Sequence, residues 1–361
     1  MRYMDQNPGS RPFVSIVINN YNYGRYVGEA IKSALDQTFR GVEVIVVDDG
    51  STDQSRDVIR SFGERVIPVF QNNGGQASAM NAGFSRSRGD LIIFLDADDA
   101  MLPATAQRVA ETFRADETIA KIQYRMEVID AQGRRTGRYK PDLYLPLQSG
   151  DLRRHELEFP FDLVRMATSG NAFPAKVLRQ IFPIPENDFR YGADWYLTHL
   201  ASLFGRVSFL ADVGAYYRVH GGNKYEQAVP VLELNHIRQV IADDSITRLY
   251  LERYADQLHL TRYPGEILSV SDIANRLISL KLDPDRHPLP GDRMGRLVGM
   301  GMRASLCRFD VTWPMKILFL GWFTAMWLAP KRLARWLAEV FLFPEKRSRF
   351  NRLLGTFHVK S

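Results

Sequence analysis

The chain has 361 residues with 45% apolar content, a formal net charge of +6 and a single cysteine, Cys307. This length predicts one large domain with an appendage. One cysteine excludes an internal disulfide and fits a reducing compartment, and the polar, mixed residues 1–11 lead us to expect no secretory signal.

Short apolar runs alternate with amphipathic segments over the first hundred residues. The apolar runs predict strands at residues 13–18, 42–47, 66–70 and 91–95, and helices are expected between them, the first at 26–37. This alternation indicates an α/β fold with a doubly wound, mostly parallel sheet. No Gly-x-Gly-x-x-Gly sequence opens the first helix, which argues against a dinucleotide-binding fold.

Polar loops follow three of these strands, at residues 19–23, 48–53 and 96–99. The last loop contains three carboxylates, Asp96, Asp98 and Asp99, directly after five apolar residues. Open α/β sheets bind ligands at the carboxyl ends of their strands. Carboxylates this close repel one another unless a cation that prefers oxygen ligands, such as Mg²⁺ or Mn²⁺, binds there. The alternative is a solvated acidic turn.

Three segments of the sequence resemble the family 2 glycosyltransferases of the GT-A fold. They read, in order, SIVINNYNYGRYVGEAIKSALDQT, VEVIVVDDGSTDQS and NNGGQASAMNAGFSRSRGDLIIFLDADD. The resemblance is strong over residues 13–100 and looser to about residue 223. It implies an inverting enzyme that takes a sugar from a nucleotide-sugar donor, most often a UDP-sugar, with Mn²⁺ or Mg²⁺ as cofactor.

The resemblance assigns the nucleotide to the first two loops. The turn that binds the base corresponds to Asn19, Asn20, Tyr21 and Asn22, where the family often has Pro-Thr-Tyr-Asn. Asp49 corresponds to the carboxylate that contacts uracil. These five residues are therefore the expected contacts of the donor's base.

The resemblance assigns the sugar diphosphate and the metal to residues around the third loop. Asp96 corresponds to the residue that reaches the ribose, Asp98 to the metal ligand and Asp99 to a residue that supports the site or the acceptor. Downstream, His220 is expected to complete the metal shell and Arg218 to meet the diphosphate. A single histidine is otherwise most often structural.

The acceptor side corresponds to two further segments. In the family the general base belongs to an acidic pair followed by Trp and Leu, and here Ala193 replaces the first acid, which leaves Asp194 as the expected base. The alternative role for Asp194 is a helix N-cap. The loop containing Ser169, Gly170 and Asn171 corresponds to acceptor contacts, although such a turn is often only a connection.

The composition changes after residue 230, so we predict a catalytic domain over 1–230 and a helical C-terminal extension over 231–361. Helices are expected at 231–260 and 267–282. Residues 301–361 carry 11 Lys+Arg against 3 Asp+Glu, whereas residues 1–300 carry 36 against 38. The basic character therefore belongs to the end of the chain, and it predicts attraction to an anionic surface.

That basic end also contains an apolar, Trp-bearing stretch. Residues 317–330 hold no charge, but 14 residues of helix are shorter than a bilayer's apolar core. Leu333, Trp336, Leu337, Val340 and Phe341 then recur at helical spacing beside basic residues. The pattern predicts a helix that lies in the plane of a membrane, and the alternative is a buried helical hairpin. The apolar weight favours lipid, so no nucleic acid is expected.

These observations predict a metal-dependent glycosyltransferase of surface-glycan synthesis at the inner face of the cytoplasmic membrane. Its partners would be a nucleotide-sugar donor, a glycan or lipid-linked glycan acceptor and the membrane surface. Two alternatives remain at this point, a sugar-phosphate nucleotidylyltransferase and a nucleotide-sugar-binding protein without catalysis. The first would need a Gly-rich basic loop after the first strand, which residues 19–24 do not provide.

Overall fold

The structure is a computed structural model that describes residues 13–223, 231–261 and 267–343. It divides into two compact units, one within Met1–Arg154 and Val164–Gly222 and the other within His155–Leu163 and Asn223–Ser361. The domain boundary predicted after residue 230 adjoins residues 224–230, which lie outside the described residues.

A nine-stranded sheet forms the centre of the first unit. Its strands are β1 (Val14–Asn20), β2 (Val42–Asp49), β3 (Ile67–Gln71), β4 (Leu91–Asp96), β5 (Ala100–Met101), β6 (Ile119–Ile129), β7 (Arg135–Lys140), β8 (Asn171–Pro174) and β9 (Arg206–Arg218). The spatial order is β3-β2-β1-β4-β8-β6-β9-β5, with β7 paired to β6. The first four strands are parallel, and β8 runs antiparallel to both β4 and β6.

Helices surround this sheet. They are α1 (Val27–Leu35), α2 (Ser55–Ser61), α3 (Gln76–Arg86), α4 (Thr105–Ala115), α6 (Ala175–Ile181) and α7 (Ala193–Ala201). A short helix, α5 (Arg153–Glu158), comes between α4 and α6 in the chain, and its residues 155–158 belong to the second unit. The apolar residues of β1 and β4 are fully buried, which explains why these strands read as continuous apolar runs. The predicted α/β fold class is therefore confirmed. The four parallel strands β1 to β4 lie where the sequence predicted them, to within a few residues.

The strand register positions the polar loops. Asn19 at the end of β1 lies opposite Asp96 at the end of β4, and Asn20 lies opposite Asp48 at the end of β2. The three loops that the sequence singled out therefore meet at one edge of the sheet, because β1 lies between β2 and β4. This edge is where an open α/β sheet binds its ligand.

The second unit is helical. Its main helices are α8 (Leu234–Gln257), α9 (Val270–Leu282), α10 (Met294–Cys307), α11 (Trp313–Leu328) and α12 (Lys331–Leu342). They enclose a separate apolar cluster, to which α11 and α12 contribute Phe323, Met326, Ala334 and Ala338. The predicted helical extension is thus present. Over the residues that the structure describes, we find no helix with both the length and the apolarity needed to span a bilayer.

Candidate active site

The carboxylates at the end of β4 and just after it form a cluster in which Asp96 is half-buried and the other two are buried. Asp98 and Asp99 are 9% and 2% exposed. Burial and the charges of Asp98 and Asp194 raise the pKa of Asp96 to about 8, and burial with the charges of Asp98 and Asp96 raises the pKa of Asp99 well above its ordinary range. Tyr23 borders the cluster, and burial and the same three carboxylates raise its pKa. Negative charge concentrated in this way is typical of a cation-binding site.

Asp98 and His220 make contact at this cluster. His220 Nε2 lies 3.1 Å from Asp98 Oδ2, and the imidazole packs with its centroid 4.9 Å from the ring of Tyr26. Asp99 Oδ2 is buried without a hydrogen-bond partner among the described residues. Over all the residues that the structure describes, no group of three or more His, Cys, Asp or Glu side chains is arranged to hold a metal ion. The oxygen atoms of Asp98 and Asp99, with Asp99 Oδ2 unpartnered among the described residues, are of the kind that Mg²⁺ and Mn²⁺ prefer as ligands.

Arg218 holds the carboxylate loop in place. Its backbone N–H donates to Asp99 Oδ1 at 2.9 Å, and its Nε donates to the carbonyl oxygen of Asp98 at 2.8 Å. The guanidinium also pairs with Glu29 at 2.6 Å and lies 5.0 Å from the ring centre of Tyr26. These contacts, with a side chain that is 1% exposed, give Arg218 a supporting position. Its predicted contact with a diphosphate stays a prediction.

The turn after β1 is held by hydrogen bonds to the loop after β2. Asn20 Nδ2 donates to Ser51 Oγ at 3.1 Å, and the backbone N–H of Asn22 donates to the same oxygen at 2.8 Å. Tyr21, between them, is 47% exposed. Both polar side-chain atoms of Asn19 are buried without a hydrogen-bond partner among the described residues. The structure therefore brings the four residues of the predicted base-binding turn to the sheet edge. The unpartnered amide of Asn19 has hydrogen-bonding capacity left for a ligand, and the contact of the turn with a base stays a prediction.

Asp49 anchors the loop that follows β3. Its Oδ1 accepts from Gln71 Nε2 at 2.7 Å and from the backbone N–H of Gly74 at 2.8 Å. Its Oδ2 accepts from Asn73 Nδ2 at 3.1 Å and from the backbone N–H of Gly75 at 2.7 Å. Four donors converge on one carboxylate, which therefore shapes this loop. The predicted contact of Asp49 with uracil stays a prediction.

Asp194 lies in the first turn of α7. The N-cap of that helix is Gly192, whose φ of +80° is available to glycine at little cost, so Asp194 is not the capping residue. Asp194 Oδ1 accepts from the backbone N–H of Trp195 at 2.9 Å. Burial raises the pKa of Asp194, whose charge in turn raises the pKa of Asp96. The expected base and the carboxylate cluster thus belong to one site.

The predicted acceptor loop packs beneath the end of β4. Ser169 Oγ accepts from the backbone N–H of Asp96 at 3.0 Å, and Asn171 Nδ2 donates to the carbonyl of Ala167 at 2.8 Å. A Cβ on Gly170 would lie 3.0 Å from the carbonyl oxygen of Tyr124, which leaves little space for a side chain. All three predicted residues are buried, and Ser169 positions the end of β4 through its bond to Asp96. Their contact with an acceptor stays a prediction.

Two functional candidates were missed by sequence reasoning. Gln76 begins α3, and its amide reaches across to Thr168 and to the start of α7. Gln76 stands inside the quoted Gly-Gly-Gln segment, but a single amide after two glycines gives no indication of its partners. Thr168 precedes the predicted acceptor loop and showed no signal of its own. Both depend on contacts between residues that are far apart in the sequence.

Comparison with known proteins finds related glycosyltransferases. The model of the family described as "Glycosyl transferase family 2" matches residues 15–182. An uncharacterized glycosyltransferase of Nostoc sp., alr2836, is 36% identical over 219 residues, which are 60% of this chain and 67% of that protein. An uncharacterized glycosyltransferase of Rickettsia prowazekii, RP339, is 42% identical over 100 residues, which are 28% of this chain and 31% of that protein.

A similar fold is found among solved structures. The S. aureus protein TarS, as residues 1–349 in complex with UDP-GlcNAc, has a TM-score of 0.51 with 92% of each chain covered. The two sequences are 16% identical. At this identity the likeness supports the fold, including the presence of a C-terminal helical region.

Proposed function

This chain belongs to glycosyltransferase family 2, and we propose that it transfers a sugar, with inversion, from a UDP-sugar to a hydroxyl group of a glycan acceptor. The observation that carries the proposal is the cluster of the half-buried Asp96 with the buried Asp98 and Asp99 at the sheet edge, where the charge of Asp194 acts on Asp96. The donor's nucleotide would occupy the edge formed by the loops after β1 and β2. Its diphosphate would then lie at the carboxylate cluster.

The leaving diphosphate gains negative charge as the bond to the sugar breaks. Asp98 and His220 would hold the divalent cation, Mn²⁺ or Mg²⁺, which neutralises that charge when it is bound. Arg218 keeps the loop rigid through Asp99 and the Asp98 carbonyl. The protein's part on this side is to bind and orient the donor, because preorganised groups do not have to rearrange as charge develops.

Asp194 would act as the general base on the acceptor side. A sugar hydroxyl is a weak nucleophile, so inverting transfer needs a base that takes its proton during attack. Burial raises the pKa of Asp194, which brings its proton affinity nearer to that needed at neutral pH. In this scheme the hydroxyl oxygen bonds to the anomeric carbon, its proton goes to Asp194 and the nucleoside diphosphate leaves.

The proposal is tested with a panel of UDP-, GDP- and TDP-sugars on the full-length protein. Thermal unfolding with and without MnCl₂ measures donor binding, because a ligand at 100 times its Kd stabilises the fold by about 2.7 kcal/mol. Metal-dependent turnover of one UDP-sugar supports the proposal. Protection without any turnover would favour the non-catalytic alternative, and release of pyrophosphate from UTP and a sugar phosphate would favour the nucleotidylyltransferase.

We also propose that α11 and α12 bind the enzyme to an anionic membrane. One side of these helices packs into the helical unit through Phe323 and Ala334. The other side leaves apolar side chains exposed, namely Trp313 at 66%, Ile317 at 63%, Trp327 at 49%, Leu328 at 75%, Leu333 at 47% and Trp336 at 51%. We call these six residues the aromatic face. Of the residues that the sequence predicts on the apolar side of the second segment, Leu333 and Trp336 are exposed, whereas Leu337 and Phe341 pack against the apolar cluster of the helical unit. The proposed membrane contact would therefore use the outer side of a packed hairpin.

Charge favours lipid as the partner of the aromatic face. Lys331, Arg332 and Arg335 are exposed on α12, between and beside Leu333 and Trp336. Tryptophan with flanking cations is typical of helices that lie at a membrane surface. A lipid-linked acceptor would then be available in the same membrane. Action at the inner face of the cytoplasmic membrane is part of the same proposal.

A further inference from the structure

Gln76 joins the loop that follows β3 to the start of α7, the helix that carries the expected base. Its Oε1 accepts from the backbone N–H groups of Gly192 and Ala193, both at 3.1 Å. These donors belong to the first turn of α7, where backbone N–H groups have no partner within the helix. The side chain of Gln76 therefore completes the hydrogen bonding at the point from which Asp194 projects.

These two hydrogen bonds also fix which end of the amide is the oxygen. Since Oε1 accepts from two backbone donors, Nε2 must be the end that points at Thr168 Oγ1, 3.2 Å away. Thr168 Oγ1 is then an acceptor in this contact, so its own hydrogen remains for another group. The carboxylates of Asp96 and Asp194 are both hydrogen-bonding neighbours of this hydroxyl, and its single hydrogen can be donated to one of them at a time.

The surrounding backbone leaves this arrangement little freedom. The backbone N–H of Gln76 donates to the carbonyl oxygen of Arg190 at 2.8 Å. Gly75 has a φ of +92°, and a Cβ there would lie 2.5 Å from that same oxygen. Arg190 Nη2 in turn donates to Asn73 Oδ1 at 2.6 Å. The segment before α7 is thus bound at several points to the loop that follows β3.

From this geometry we propose that Gln76 and Thr168 are positioning residues for Asp194. Gln76 fixes the start of α7, and the Thr168 hydroxyl orients the Asp194 carboxylate toward the acceptor. The inference deepens the proposed function and rests on it, because it takes Asp194 as the base. An error of about 1 Å in the position of a catalytic group can cost on the order of 10²-fold in rate.

The test uses paired substitutions in the full-length enzyme, assayed with the nucleotide sugar that wild type turns over. Gln76→Leu removes the amide at similar size. Gln107→Leu makes the same change on α4, where the exposed Gln107 bonds Glu111 and Thr38. Thr168→Val removes the hydroxyl and Thr168→Ser retains it. Thermal unfolding and circular dichroism establish that each variant is folded.

We expect Gln76→Leu and Thr168→Val to lower kcat by about 10- to 100-fold with the donor KM within about threefold of wild type. Gln107→Leu and Thr168→Ser should stay near wild type. In an Asp194→Asn background, Gln76→Leu should cause no further loss, because residues that act as a unit are not additive. A merely structural role would give the same relative loss in both backgrounds.

Wild-type kcat in folded Gln76→Leu and Thr168→Val, with Asp194→Asn inactive, overturns this inference and leaves the proposed function intact. Full activity of Asp194→Asn overturns the assignment of the base itself. If Gln76→Leu does not fold, the comparison of Thr168→Val with Thr168→Ser decides the matter, since loss in both or in neither contradicts a role for the hydroxyl.

Discussion

Replacing Trp336 by alanine should weaken membrane binding by a predictable amount. The side chain is 51% exposed, and an aromatic residue of this size can bury about 150–250 Å². Insertion of the exposed half would remove roughly 100 Å² from water, which at about 25 cal/mol per Å² is about 2.5 kcal/mol. Loss of that contribution corresponds to roughly 70-fold weaker partitioning.

The assay is cosedimentation with vesicles that contain phosphatidylglycerol, compared with neutral phosphatidylcholine vesicles. Wild type should bind the anionic vesicles more tightly, because each Lys or Arg near such a surface contributes about 1 kcal/mol. Added salt should weaken this binding without abolishing it, since the apolar contribution is not screened. Trp336→Ala should reduce binding to both kinds of vesicle.

A matched pair of exposed leucines separates a specific surface from general hydrophobicity. Leu333 on α12 is 47% exposed and Leu249 on α8 is 65% exposed. Leu333→Glu should abolish vesicle binding, whereas Leu249→Glu should leave it unchanged. Equal effects of the two substitutions, or no binding of wild type to either vesicle, would refute the membrane role of the aromatic face.

Three further predictions concern the metal, the base and the helical unit. Asp98→Asn should weaken Mn²⁺-dependent donor binding and stop turnover; equal donor affinity with and without chelator, in a fully active variant, would contradict it. Asp194 must be ionised to accept a proton, and burial raises its pKa. As the pH is lowered, kcat should therefore begin to fall at a higher pH than it would with a base of ordinary Asp pKa; a kcat that stays constant down to pH 4 would argue against this base. Arg276→Met should lower the free energy of unfolding in urea by about 3 kcal/mol, because it strips the buried carboxylates of Asp272 and Asp292 of a shared cation; a loss below 1 kcal/mol would show that the remaining partners suffice.

The sequence predicted the parallel half of the sheet well, for a physical reason. β1, β2 and β4 are buried on both faces, so each had to be a short apolar run that ends in polar residues. The predicted strand at 13–18 corresponds to Val14–Asn20, and the one at 42–47 to Val42–Asp49. Loops that follow parallel neighbouring strands necessarily meet at one edge.

The other half of the sheet gave no such signal. β8 has only four residues and inserts between β4 and β6, where it runs antiparallel to both. β9 carries exposed residues in its first half. Strands of this kind are defined by their partners, and a pairing between residues 48 or more positions apart leaves no local pattern.

The supporting contacts of the site were equally hidden from sequence reasoning. Arg218 was expected at the diphosphate from the resemblance of its segment to the family, and that contact stays a prediction. The structure adds that its guanidinium pairs with Glu29 and donates to a backbone carbonyl. Nothing local to Glu29, on α1, indicates a partner 189 positions away. Residue types indicate what chemistry a site can perform, whereas the direction of each side chain follows from the packing around it.

Turnover of Asp194→Asn tests the account most directly. The enzyme is assayed with its UDP-sugar donor and MnCl₂, and donor affinity is measured in parallel by thermal protection. We predict that kcat falls by about 10²-fold or more while donor affinity stays near wild type, because a general base acts in the transition state. Wild-type turnover by Asp194→Asn would contradict the account, since no base would then act from the start of α7.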